Sequence, residues 1–131
     1  MAQTVIIDGH PFCPKWIKQG ADADMTSFAE ATAKSLSSLS KTQFRNIYGE
    51  IKRIQANYEN NKTAVHLLKP KVAYMYARTD NRMRKFVLKF KDVFDAAIDE
   101  VNDKTTFDNF CCLMEAILAY HRYYTEEKKN K

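Results

Sequence analysis

Little in this sequence turns a chain. Three glycines and three prolines stand among 131 residues, and Pro11 and Pro14 both fall near the start. A small β-sandwich needs a tight turn roughly every 8–12 residues, so this scarcity favours long helices. Cysteine is scarce too: Cys13, Cys111 and the adjacent Cys112 are an odd number with no C-x-x-C pair. That excludes a disulfide framework and a zinc ribbon, and leaves Cys111 as a small core residue in a reducing compartment. No apolar run is long enough to cross a bilayer and no signal-peptide layout opens the chain, so a cytoplasmic protein without membrane contact is expected.

Catalytic patterns are missing as well. There is no glycine-rich phosphate loop, no H-E-x-x-H, no G-x-S-x-G and no His–carboxylate set at metal-ligand spacing. The expectation is a protein that is not an enzyme and has no catalytic residues, cofactor or metal. Asp92, Asp95 and Asp99 share one helical face, which reads as solvated rather than as a divalent-ion site.

What is present is apolar, aromatic and basic. The 45% apolar and 12% aromatic content suits one folded domain, and the net charge of +5 permits a polyanionic partner without establishing one. The chain divides into an N-terminal arm (1–20), a helical domain (21–126) and a charged tail (127–131) expected to be disordered. In the arm, Val5-Ile6-Ile7 reads as extended, Asp8-Gly9-His10-Pro11 as a turn, and Trp16 as an anchor. That arm either straps across its own domain or docks on a neighbouring subunit.

Apolar spacing predicts an all-α, compact single-domain bundle of five helices. The first spans 24–39, with Met25, Phe28, Thr32 and Leu36 facing inward. The second starts at Ser40, where Ser40 and Gln43 form a capping-box pattern, and carries Phe44, Ile47, Ile51 and Ile54. Beside that stripe lie Lys41, Arg45, Tyr48 and Lys52, with no acidic residue among them. The third, 62–79, holds Pro70, which should bend it or restart it. Lys71, Tyr74 and Arg78 gather on one of its sides as a cationic surface beside an aromatic ring. The fourth, 81–101, is basic in its first half and acidic in its second, against the helix dipole, which invites an anionic partner near Arg82–Lys89. The fifth, 105–126, has an apolar face wide enough for a central helix or for one that also buries surface against a partner, and His121 on it reads as packed.

Three stretches together resemble one family. Leu67-Leu68-Lys69-Pro70-Lys71-Val72-Ala73-Tyr74 with Arg78, Leu39-Ser40-Lys41-Thr42-Gln43-Phe44-Arg45, and Phe107-Asp108-Asn109-Phe110 continuing to Glu115–Arg122 are similar to motifs of the small subunit of type III-A CRISPR interference (Csm) complexes. The resemblance spans residues 39–124. It implies a non-catalytic subunit that self-associates into a filament along the guide RNA–target RNA duplex, in antiviral and anti-plasmid defence. Backbone subunits and a large polymerase-like subunit would be its neighbours. The candidate RNA contacts are Lys41, Arg45, Lys52, Arg53, Lys69, Lys71 and Arg78, with Tyr74 as a packing or hydrogen-bonding element. The two basic flanks, Lys41/Arg45/Lys52 and Lys69/Lys71/Arg78, are taken to line one groove. The competing reading is a helical protein–protein adaptor without RNA contact, using the wide face of the fifth helix.

Overall fold

In the computed structural model, which describes residues 5–129, the chain opens on a minimal hairpin. Strands β1 (Ile6–Ile7) and β2 (His10–Pro11) pair antiparallel, Ile6 opposite Pro11 and Ile7 opposite His10. Between them Asp8 (φ 49°) and Gly9 (φ 83°) take the left-handed backbone that a two-residue Asp-Gly turn requires. One helical turn follows, α1 (Lys15–Lys18), and then five longer helices: α2 (Ala23–Ser35), α3 (Lys41–Ala56), α4 (Lys62–Arg78), α5 (Arg84–Ile98) and α6 (Lys104–Lys129). A 3₁₀ turn (Tyr58–Asn60) joins α3 to α4.

The last helix in the chain is the central one. α6 packs on α1, α2, α3 and α5, whereas α4 packs on α3 and α5 at the edge of the bundle. This accounts for most of the wide apolar face of α6: Phe107, Phe110, Leu113 and Ile117 are all buried within the chain itself, while Tyr120 is half-buried and Tyr123 exposed. An aromatic series then ties the layers together, running from Phe44 on α3 through Phe90 and Phe94 on α5 to Phe110 and Phe107 on α6.

The arm straps its own domain. Trp16 lies against Phe12 and against Phe28 of α2, with ring centroids 5.8 and 5.3 Å away. The amide of Asn109 on α6 donates to the carbonyl of Ile17 at 2.8 Å, fixing α1 to the central helix.

Several helix ends differ from the sequence pattern. Ser40 occupies the cap position of α3, but its hydroxyl makes no capping hydrogen bond, so the capping box is not formed. α2 does have a side-chain cap: Asp22 accepts from the backbone N–H of Met25 at 2.9 Å. α5 begins at Arg84 and not at Asn81, because the Asp80 carboxylate accepts from the Arg82 N–H and holds a turn there. Pro70 neither ends nor restarts α4. Both Pro70 and His66, whose carbonyl the proline leaves without a donor, are exposed, so water can take the missing bond. α6 runs through Lys129, into the stretch expected to be disordered from residue 127; residues 130–131 lie outside the described residues.

His121 pins the loop between α2 and α3. Its Nε2 stands 3.1 Å from the carbonyl oxygens of both Leu36 and Leu39, so the donating tautomer carries its proton there. Nδ1 is then a bare acceptor, buried without a partner among the described residues, in a ring only 1% exposed. Burial depresses the histidine pKa, outweighing the two carbonyls that favour the charged form. The unfolded chain therefore takes up a proton before the folded chain does, and stability falls as pH drops below the ordinary histidine value of about 6.5. The protein is expected to melt lower at pH 5.5 than at 7.5, with much of that difference gone in His121→Gln, which keeps a donor but cannot titrate. An unchanged pH difference in the variant would show that His121 is not its source.

Candidate nucleic-acid interface

Antiparallel packing of α3 and α4 leaves a cleft of about 430 Å³ between them, lined by Gln43, Asn46, Ile47, Glu50, Lys71, Tyr74, Met75 and Arg78. The apolar stripe of α4 (Val65, Leu68, Val72) is buried, which sets Lys71, Tyr74 and Arg78 together on another side of the helix, at the cleft. Tyr74 is 63% exposed, and the Arg78 guanidinium stacks 5.6 Å from its ring centre. Arg78 makes no ion pair among the described residues.

Glu50 stands between the cations. Its carboxylate receives Arg53 at 2.5 Å and Lys71 at 2.8 Å. The Arg53 hydrogen bonds first and Lys71 second hold its pKa down at about 2, so it is ionised at any working pH. Lys71 and Arg53 are thus partly neutralised inside the chain.

The other candidates lie elsewhere. Lys41 pairs with Glu126 of α6, and Lys52 hydrogen-bonds Gln55 and lies 6.0 Å from the Tyr48 ring centre. Gln55 itself donates to Asp108 of α6, and burial together with the Glu115 carboxylate raises the Tyr48 hydroxyl pKa. The flank free of acids within α3 is therefore supplied with them by α6. Arg45 shares the helical spacing of that flank, is exposed and has no ion-pair partner among the described residues. Lys69 pairs with Asp99, just past the end of α5, at 2.7 Å, on the opposite side of α4 from the cleft. The two basic flanks consequently do not line one groove: α3 separates them, and Lys69 belongs to neither. The structure brings Arg53, Lys71, Tyr74 and Arg78 together around Glu50.

The reversed charge order of α5 has an internal explanation in part. Arg84 donates to the carbonyls of Thr79 and Ala77 at 2.9 and 3.2 Å, so a cation at the start of α5 serves the negative end of α4. Asp95 pairs with Lys91 and Asp99 with Lys69, and no group of three or more metal-ligating side chains occurs among the described residues. None of the described helices is long and apolar enough to cross a membrane.

Comparison with protein families matches the Csm2 Type III-A family over residues 20–127. The chain belongs to the Csm2 family. Comparison with curated proteins and with solved structures gives no match. The matched Csm2 span holds α2 through most of α6 and every residue of the α3–α4 cleft, and leaves the hairpin and α1 outside. Membership makes this Csm2 chain a small structural subunit of a type III-A CRISPR effector complex, which works among other subunits. Sequence reasoning singled out Gln43 only as a capping residue and a motif position, and did not single out Asn46 or Glu50 of the cleft. Only the Glu50–Arg53 spacing of i, i+3 was there to be seen.

Proposed function

We propose that this subunit is non-catalytic and repeats as a short filament along the guide RNA–target RNA duplex, holding the RNA backbone without reading its sequence. The observation that best supports this is that Arg45 on α3 and Arg78 on α4, like Arg122 on α6, expose guanidiniums that no carboxylate neutralises among the described residues. Guanidinium offers paired N–H donors that match phosphate oxygens, and unpaired ones bind without first giving up a partner. Lys41, Lys52, Arg53, Lys69 and Lys71 are secondary contacts. The pairs that hold Lys41 and Lys69 are at least partly exposed, and such pairs contribute about 0–1 kcal/mol, little enough for a phosphate to displace. Base pairing between guide and target supplies the specificity. The backbone subunits and the large polymerase-like subunit are its protein neighbours, in cytoplasmic defence against viruses and plasmids. An adaptor role through α6 is left with Tyr120 and the exposed Tyr123 near the end of that helix, since Phe107, Phe110, Leu113 and Ile117 are buried inside the chain.

The test is the assembled effector carrying Arg45→Glu with Arg78→Glu. Neither side chain is in the core, so assembly should be normal, while target-RNA capture weakens and its salt slope becomes shallower by about one unit per lost contact. The captured RNA should stay uncut by this chain alone with divalent metal. Normal assembly with parental capture at two ionic strengths would remove the RNA-facing assignment and leave the adaptor reading.

A further inference from the structure

We propose that the α3–α4 cleft takes one unpaired ribonucleotide, its base on Tyr74, its phosphate on Arg78 and its ribose 2′-hydroxyl on Glu50. This rests on the RNA-facing reading above and divides the site between phosphate and nucleoside.

A cleft built for phosphate alone would not place an ionised carboxylate between its cations. Glu50 is held ionised, so it repels a phosphate at the cleft floor and accepts hydrogen bonds only. Its Oε1 is taken by both Lys71 and Arg53, while Oε2 receives a single long contact of 3.3 Å from Arg53 Nε. One carboxylate oxygen is therefore open to a further donor. In a polynucleotide the donors are the ribose 2′-hydroxyl and exocyclic amines, and the 2′-hydroxyl is present on every ribonucleotide and absent from DNA.

The remaining walls agree. The Tyr74 ring is the most exposed large hydrophobic group among the described residues, and one face already carries Arg78. The other face is a platform for a base, and stacking there needs a base freed from its duplex neighbours. Gln43 and Asn46 present side-chain amides that make no hydrogen bond among the described residues, and an amide both donates and accepts, as a base edge requires. Arg78, alone among the cleft cations in having no carboxylate, is where the phosphate fits. The 430 Å³ of the cleft lies within the usual range of about 300–1,000 Å³ for small-ligand sites.

The experiment is an NMR titration of the full-length protein at low salt, to millimolar ligand, with tetrauridylate and with its 2′-deoxy counterpart. Shifts should centre on Tyr74 and the Gln43 and Asn46 amides, and the ribo-oligomer should bind about tenfold tighter, as expected for a hydrogen bond to a charged group. Tyr74→Ala should weaken the ribo-oligomer about tenfold or more, while Tyr74→Phe retains it. Glu50→Gln should bring the two oligomers to similar affinity. Equal affinities in the parent protein, or no effect of Tyr74→Ala, would overturn the nucleotide site. If that occurs while the assembled effector still loses capture on Arg45/Arg78 reversal, the backbone reading stands without it; failure of both experiments removes both.

Discussion

Phe90→Ala is expected to cost about 3–5 kcal/mol in denaturant melts, at the level of a large aromatic removed from a core that cannot close up. The ring is 2% exposed, stands edge-on to Phe44 with centroids 5.0 Å apart, and touches Phe94 at 5.8 Å. It joins α3 to α5 at a point where a gap of about 10 Å³ already exists among Phe44, Ile47, Phe90, Met114 and Ile117. Truncation would merge with that gap, and the surrounding rings are fixed from several helices, so little relaxation is available. Phe90→Leu should cost less than half as much. A loss below roughly 1 kcal/mol for the alanine variant would mean that the stripe on α5 is not core.

The second large effect concerns the arm. Trp16→Ala should also cost about 3–5 kcal/mol, because the indole is 3% exposed and sits between Phe12 and Phe28. Trp16→Phe should cost far less. The buried indole N–H makes no well-formed hydrogen bond among the described residues and has only the Asp22 carboxylate in its vicinity, so a hydrocarbon ring in its place gives up little. Because Trp16 is the sole tryptophan, its fluorescence reports the arm while circular dichroism reports the bundle. Coincident transitions in the parent are expected if arm and bundle form one cooperative unit. An arm transition well ahead of the helical one, or a small loss in Trp16→Ala, would show that the arm is a loosely attached strap.

The five long helices were legible because each carries its own 3.6-residue stripe. Phe44, Ile47, Ile51 and Ile54, or Val87, Phe90, Val93, Phe94 and Ala97, need only neighbours in the same segment to be recognised. Helix ends were less so: Ser40 had the right residue at the right offset, yet the hydroxyl has no bond to the helix it caps. The electrostatics were the least legible, since they are made between segments. Lys71 meets Glu50 21 residues away, Lys41 meets Glu126 85 away, and Arg84 serves the end of the preceding helix. Lys41, Arg45 and Lys52 lie on a flank of α3 with no acid of its own, and no local pattern reveals that α6 lies beside it. For the same reason, the residue types that suggest a polyanion site were visible in Lys71, Tyr74 and Arg78, but the carboxylate at its centre was not.

The position of α6 bears on how the protein is made. The buried faces of α1, α2 and α3 find their main partner in a helix translated last among the described elements, with Asn109 reaching Ile17 across 92 residues. A nascent chain on the ribosome therefore carries α1, α2 and α3 before the helix that covers most of their buried faces exists; Trp16 and Phe28 have only each other and Phe12, and Phe44 waits for Phe90. Closing so long a loop costs entropy before its contacts form, which slows folding relative to a bundle of sequential neighbours. During that interval the apolar stripes are open to other emerging chains, so co-translational shielding, or prompt meeting with the subunits it assembles with, governs how much of it reaches the native state.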